Sequence, residues 1–575
     1  MCGLPASALP LFALAADAPL RYKVDIEAPR ELAQGLSEGL RVVRWEQEPN
    51  MSALLLDKLI EESLDQVREA AGAEGYFSPR VTSEIDRSPD PWLVKIRLEP
   101  GTPTRVTNID IRFTGPAAED PDAGPLARRI RQDWRLRAGQ VFRQADWDAA
   151  KTQALRELSG WRYAAAQIAA SRAEIDPATA SAKLTVELAS GPAFRFGELR
   201  VSGLKRYDGA VVTNMSPVHR GELYERDKLD SYQRVLLFSG YFVSAQIGID
   251  TDPARAADAP VTVSVIESNN QSVEAGVGYG TDTGARVNLR YTNHDIFGTT
   301  WRQTTQLRYD AKIQDLRFDF DSPPRSDASW NNVFARTQQN NIQNVLTREY
   351  SAGFAHNWGF ERTPSAAIVS AHHEEQDVPG QETETRHALY FGYRRTLRQT
   401  DNPVAPRSGY MGMLEAGGSP AGLASRNFWR IAGNASMFVP LGRRDDLILR
   451  GEMGQVHAGS REGIPSSFLF RTGGDTSVRG YAYQSLGVPV LQAVLGARYM
   501  ALLSAEVVHW VTEDWGLAAF LDAGDAWDPQ HAFKAAKGYG GGARFRTPIG
   551  PIRIDLAYGE RNHEYRLHFS VGYTF

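Results

Sequence analysis

Residues 566–575 read RLHFSVGYTF. Successive side chains of a strand point to opposite faces. Leu567, Phe569, Val571, Tyr573 and Phe575 therefore share one face, and Arg566, His568, Ser570, Gly572 and Thr574 share the other. Just upstream, Ile552, Ile554, Leu556 and Tyr558 alternate with Arg553, Asp555 and Ala557 in the same way. In a soluble sandwich the apolar face would look inward at a core. In a large barrel that face meets acyl chains and the polar face lines a wet lumen. Full charges on the polar face (Arg553, Asp555, Arg566) favour the barrel, as do aromatic residues at strand ends, where a membrane meets water.

The same texture reaches back to about Ser272, as short alternating segments separated by Gly, Asn and Asp. Residues 272–575 are enough for roughly sixteen strands at about nineteen residues per strand and turn. No stretch of 18 or more apolar residues occurs, so no transmembrane helix is expected. A barrel does not need one, because its strands are short and of modest hydropathy. A net charge of −5 offers no footprint for nucleic acid. Cys2 is the single cysteine, which excludes a disulfide framework and a cysteine-based metal site. Residues 1–18 read as a possible truncated signal segment. Leu4 to Ala16 is apolar and Ala13-Leu14-Ala15 suits cleavage, but no Lys or Arg precedes them.

The first half, residues 21–268, repeats one unit three times. A Gly-aromatic step follows an amphipathic helix at Gly75-Tyr76-Phe77, at Gly160-Trp161-Arg162-Tyr163 and at Gly240-Tyr241-Phe242, spaced 85 and then 80 residues apart. That interval is the size of a domain, not of a solenoid repeat. The helical stripes are Leu55, Leu59, Ser63 and Val67, then Trp147, Lys151, Leu155 and Leu158, then Leu229, Tyr232 and Leu236. Ser63 and Lys151 are expected at the edges of their stripes. Two strands follow each step, the second clearly alternating in 92–98, 183–188 and 261–266. The order strand, helix, helix, strand, strand implies small α+β domains over 21–101, 102–192 and 193–268.

This order with its Gly-aromatic step resembles the POTRA (polypeptide-transport-associated) domain. In the second half, residues 470–481 read FRTGGDTSVRGY. The step Val478-Arg479-Gly480-Tyr481 resembles the invaginating-loop motif of the BamA/TamA-type superfamily of outer-membrane assembly factors. Residues 519–527 (AFLDAGDAW), 542–555 (GARFRTPIGPIRID) and 401–409 (DNPVAPRSG) resemble further strands of that superfamily, and Phe575 with Tyr573 and Val571 resembles the C-terminal signal of bacterial outer-membrane barrels. The resemblance covers nearly the whole chain past residue 21. It implies a transmembrane antiparallel β-barrel over 272–575 with the POTRA-like domains in the periplasm. It also implies that Arg479 is held by Asp522 as a structural latch. Alternation alone puts Phe520 and Asp522 on the inward face, and Asp555 is a candidate second luminal partner. Gly276 and Gly278 in the first barrel strand and Gly572 in the last offer no cross-strand side-chain pairs, which suggests a weak seam that opens sideways.

No Walker loop, dinucleotide fingerprint or Gly-x-Ser-x-Gly elbow is present, and His372-His373-Glu374-Glu375 reads as a wet loop or strand end. No catalytic, cofactor or metal residue is assigned, and an enzyme is not expected. Three POTRA-like units resemble most the TamA family, the outer-membrane subunits of the translocation and assembly module. That resemblance implies autotransporters and other outer-membrane proteins as clients. It further implies an inner-membrane-anchored, periplasm-spanning TamB-like partner at the first repeat. A two-partner secretion transporter, a passive channel and an outer-membrane hydrolase remain alternatives.

Overall fold

The structure, a computed structural model, describes residues 20–359, 362–402, 405–529, 533–547 and 552–571. Gly572, Tyr573 and Phe575 lie outside the described residues, as do 1–18. The chain forms two compact units, one built mainly from the first 198 residues and the other containing the barrel.

Each small domain carries a three-stranded sheet in which the last strand of the repeat is central. In the first, Tyr22–Glu27 runs parallel to Trp92–Glu99, and Arg80–Asp86 runs antiparallel to it on the other side. The second repeats this with Arg105–Thr114, Ser181–Ala189 and Gln167–Asp176, and the third with Phe196–Ser202, Ala259–Glu267 and Phe242–Ile249. Central position explains why these strands alternate most cleanly in sequence. Their inward residues, such as Val94, Ile96, Leu184 and Val186, are fully covered by helices.

Two details of the helical stripes differ from expectation. Ser63 sits within the buried face of the helix Ala53–Ala73, not at its edge, and its Oγ accepts a hydrogen bond from the Val42 N–H at 3.3 Å. In the helix Gln144–Ser159 the buried line is Trp147, Ala150, Ala154 and Leu158. Lys151 lies beside it, with its ammonium 5.0 Å from the Trp147 ring centre. Small alanines allow this helix to approach its sheet closely, so the stripe is read by size as much as by hydropathy.

The second unit contains a closed barrel of sixteen antiparallel strands in chain order, from Gln271–Gly280 to Glu564–Val571. Its side chains sort as a bilayer demands. On the thirteenth strand, Trp515–Trp527, Leu521 is 53% exposed to the outside while its neighbour Asp522 is 0% exposed. Leu503, Leu556 and Leu567 likewise face outward, while Glu506, Asp555 and His568 are buried inside. His372 and Glu374, expected at a wet loop or strand end, lie within the seventh strand, Ser365–Asp377, and extended pairing there puts both on the inner wall.

Adjacent barrel strands pair over seven to thirteen residues. The first and last strands pair, among the described residues, only at Tyr279↔Val571 and Gly280↔Ser570. Gly276 and Gly278 face Asn288 and Arg286 of the second strand.

Replacing Ser63 with Val should strand the Val42 amide inside the first domain and destabilise that domain by about 1–3 kcal/mol. Faster proteolysis within residues 20–99, with the barrel unaffected, is the expected readout. Unchanged protection would show that the Ser63 hydrogen bond is dispensable.

Candidate functional site: the loop inside the barrel

Between the eleventh strand, Asp445–His457, and the twelfth, Tyr499–Trp510, the chain makes a long excursion through residues 458–498. Hydrogen bonds to inward-facing residues of several strands show that it enters the barrel. The entry depends on glycine at the closest approach. Gly480 has φ +92°, and a Cβ there would stand 2.7 Å from the Gly559 amide nitrogen. Either the left-handed backbone or the contact alone would exclude a larger residue.

Gly480 follows Arg479, which is 1% exposed. Its backbone N–H, Nε and Nη2 all donate to Asp522, at 3.1, 2.7 and 2.9 Å. Nη1 donates to Glu506 at 2.7 Å and to Asp555 at 3.3 Å. The guanidinium carbon lies 3.4 Å from the centre of the Phe520 ring, so the ring's electron-rich face caps the cation. Arg544 completes the cluster. It donates to Glu506 at 2.9 Å and to Asp555 at 2.6 Å. Two guanidinium groups thus share three carboxylates drawn from strands Tyr499–Trp510, Trp515–Trp527 and Ile552–Gly559. Charges so far from water are tolerated only when paired and hydrogen-bonded, and here each is.

The residues flanking Arg479 extend this attachment. Val478 is fully buried among Tyr481, Leu486, Leu502 and Ala536. The Tyr481 hydroxyl donates to the Lys537 carbonyl at 3.1 Å and accepts from the Arg561 N–H at 2.9 Å. The Gly480 N–H donates to His568 Nε2 at 3.0 Å.

A second anchor, absent from the sequence reading, holds the loop to the sixth to eighth strands. The Ser466 N–H donates to Glu374 at 2.8 Å and Ser467 Oγ to Glu349 at 3.0 Å. Arg386 donates to Glu374 and to the Ile464 carbonyl. Phe468 packs against Tyr390, His372 and Phe428 with ring centres 4.7–5.0 Å apart. Here Ser370 Oγ, His372 and Glu349 form a hydrogen-bonded chain at 2.8 and 2.7 Å, in the order a hydrolase uses. Ser370 is only 3% exposed and Phe468 packs edge-on against the imidazole, so the chain ties the wall to the loop. Among the described residues no group of three or more His, Cys, Asp or Glu is placed to hold a metal ion.

Of the site residues named from sequence, the fold brings Val478, Arg479, Gly480, Tyr481, Phe520, Asp522 and Asp555 into one cluster. Gly276 and Gly278 lie on the first barrel strand and Val571 on the last. Glu506, Arg544 and His568 were missed. Each is a charged or titratable residue at an inward position of an alternating strand, and that was the available signal.

Replacing Arg479 with Ala leaves buried Asp522 without its guanidinium partner and Glu506 and Asp555 with Arg544 alone, a loss of about 3–5 kcal/mol. The barrel should lose its compact, detergent-resistant form at a lower temperature, followed by electrophoretic mobility with and without heating. Arg479→Lys should recover only part of this, because an ammonium cannot make the paired contact with Asp522. Full resistance in Arg479→Ala would show that the cluster does not hold the loop.

Residues 268–575 match the sequence profile of the Omp85 superfamily domain. Along its length the chain is 20% identical to the outer membrane protein assembly factor BamA of Neisseria meningitidis serogroup B, over 89% of this chain and 72% of that protein. It is 23% identical to BamA of Neorickettsia risticii over 74% of this chain, spanning 61% of that protein. The crystal structure of BamA from Haemophilus ducreyi lacking POTRA domains 1–3 superposes with a TM-score of 0.64, at 14% identity, over 82% of this chain and all of that one. A barrel with lipid-facing leucines and a charged interior, together with this match over more than half of the chain, places the protein in the outer membrane as a member of the Omp85 superfamily.

Proposed function

We propose that this protein assembles or translocates other polypeptides at the outer membrane, with autotransporters and other β-barrel proteins as clients, in the manner of the TamA family. The observation that carries the reading is the seam. Among the described residues two pairs join the first and last strands, where each other junction has at least seven. In hydrocarbon an unpaired strand edge is costly, because no water satisfies its N–H and C=O groups. A client strand pairing with Gln271–Gly280 would satisfy them, and the pairing would guide the client into the bilayer. Client folding itself would supply the free energy.

The small domains fit this role. Each has edge strands on both sides of its central strand, and an exposed edge can add an extended peptide. The first domain would also receive a periplasm-spanning, inner-membrane-anchored TamB-like partner. Arg479 and Asp522 act as a structural latch for the loop rather than as catalysts. The names of the similar BamA proteins support assembly of outer-membrane proteins as the general activity.

Two experiments test this. Deleting the protein should lower surface autotransporters in the outer-membrane proteome, and unchanged levels of every autotransporter and barrel would refute the assembly role. Loss of one dedicated secreted protein alone would instead indicate a two-partner transporter. Separately, Gly280→Cys with Ser570→Cys should form a disulfide across the seam, since these positions face each other. Client insertion should stop when the bridge forms and return on reduction. Full activity with the bridge closed would eliminate lateral opening.

A further inference from the structure

We propose that the loop is the clasp of the seam, holding both barrel edges at once through Asp282 on one side and His568 on the other. The proposal rests on the reading that the seam opens, and it identifies what must let go first.

Asp282 lies in the turn between the first two barrel strands, Gln271–Gly280 and Gly284–Asn293. It is 7% exposed, and its Oδ2 accepts the Asp475 backbone N–H at 2.7 Å. His568 belongs to the last strand, Glu564–Val571, and is 2% exposed. Its Nε2 accepts the Gly480 N–H at 3.0 Å. The two barrel residues also face each other across the seam, with His568 Nδ1 3.8 Å from Asp282 Oδ1. The loop thus bonds to the first hairpin and to the last strand at the rim where the only described seam pairs occur. There the Thr281 N–H donates to the Phe569 carbonyl at 3.1 Å, and the Phe569 N–H to Thr281 Oγ1 at 3.2 Å.

The two holds are joined by a short, stiff stretch. The Gly474 N–H donates to the Val478 carbonyl, the Ser477 N–H to the Gly474 carbonyl, and the Gly473 N–H to Ser477 Oγ. Asp475 and Gly480 therefore cannot drift apart independently. On one side the loop is fastened many times over, by Arg479 to Asp522, Glu506 and Asp555 and by Tyr481 to Lys537. The first hairpin meets this stretch of loop through the Asp282 carboxylate. A carboxylate accepting a backbone N–H is a strong hydrogen bond, but here one carboxylate stands against many partners on the other side. When the seam parts, the loop stays with the last strands and the first hairpin leaves, so Asp282 is the release point. The side chain at this turn sets how often the edge becomes available to a client.

Amide hydrogen exchange of the full chain in lipid bilayers tests this, read at Thr281 and Phe569. Asp282→Ala removes the acceptor and should speed exchange at both amides about tenfold, the signature of a more frequent local opening. Asp282→Asn keeps an oxygen in place and should behave nearly as the native protein. Exchange at Phe520 and Leu521, on the thirteenth strand, should not change in either. His568→Phe removes the other acceptor without changing a residue of the first hairpin, and it keeps the test open if Asp282→Ala does not insert. Native exchange at Thr281 and Phe569 in Asp282→Ala, or in His568→Phe where Asp282→Ala does not insert, overturns the clasp, as does an equal rise on every strand. Failure of lateral opening itself shows elsewhere, as full client insertion by the protein bridged between positions 280 and 570.

Discussion

The Arg479 guanidinium sits where water is scarce, and most of the barrel interior is arranged around that fact. A cation in such a place needs anionic partners and hydrogen-bond acceptors for nearly all of its N–H groups. Asp522, Glu506 and Asp555 provide them, and the Phe520 ring covers the remaining face. Three acidic residues so close would repel one another, and Arg544 on the adjoining strand offsets this by bridging Glu506 and Asp555. The loop cannot leave without exposing this whole set, so one side chain fixes residues 470–481 against several strands.

That fixed stretch gives the barrel two different kinds of junction. On the wall of strands twelve to sixteen the loop replaces empty lumen with ion pairs, aromatic cover and backbone hydrogen bonds. At Glu349, Glu374 and Arg386 it reaches the opposite wall, with Phe468 wedged among Tyr390, His372 and Phe428. Between the first and last strands the ladder contributes, among the described residues, two residue pairs. The loop thus braces the barrel wall on two sides, while the described seam pairs lie at one rim.

Some of this was visible in the amino-acid order. Period-two alternation with leucine against aspartate, as at Leu521 and Asp522, has one stable arrangement in a bilayer, and the chain length set the number of strands near sixteen. The Gly-aromatic step marked the small domains because a helix must end and turn into a strand there. The repeats hid other details. At Gly75 and Gly240 the turn residue has positive φ, but in the second domain that conformation falls on Arg162 instead of Gly160. Ser63 looked like a break in a helical stripe because hydropathy does not register a hydroxyl whose partner, the Val42 N–H, lies 21 residues away. Ala150 and Ala154 were overlooked for the opposite reason, since a small residue can be buried without appearing strongly apolar.

The sequence by itself determined the fold class, the inward or outward side of residues in its clearest alternating strands, and, through the resemblance of its motifs, the expectation that Arg479 and Asp522 belong together. These follow from local periodicity and from motif residues, which the chain carries in order. Only the tertiary structure decided that Glu506 and Arg544 join that pair, that His372 and Glu374 serve a second anchor, and that Asp282 and His568 meet the same loop. Asp282 and Asp475 are 193 residues apart, and Gly480 and His568 are 88 apart. Partnerships over such distances depend on strand register and barrel closure, which set three-dimensional neighbours that no local pattern encodes.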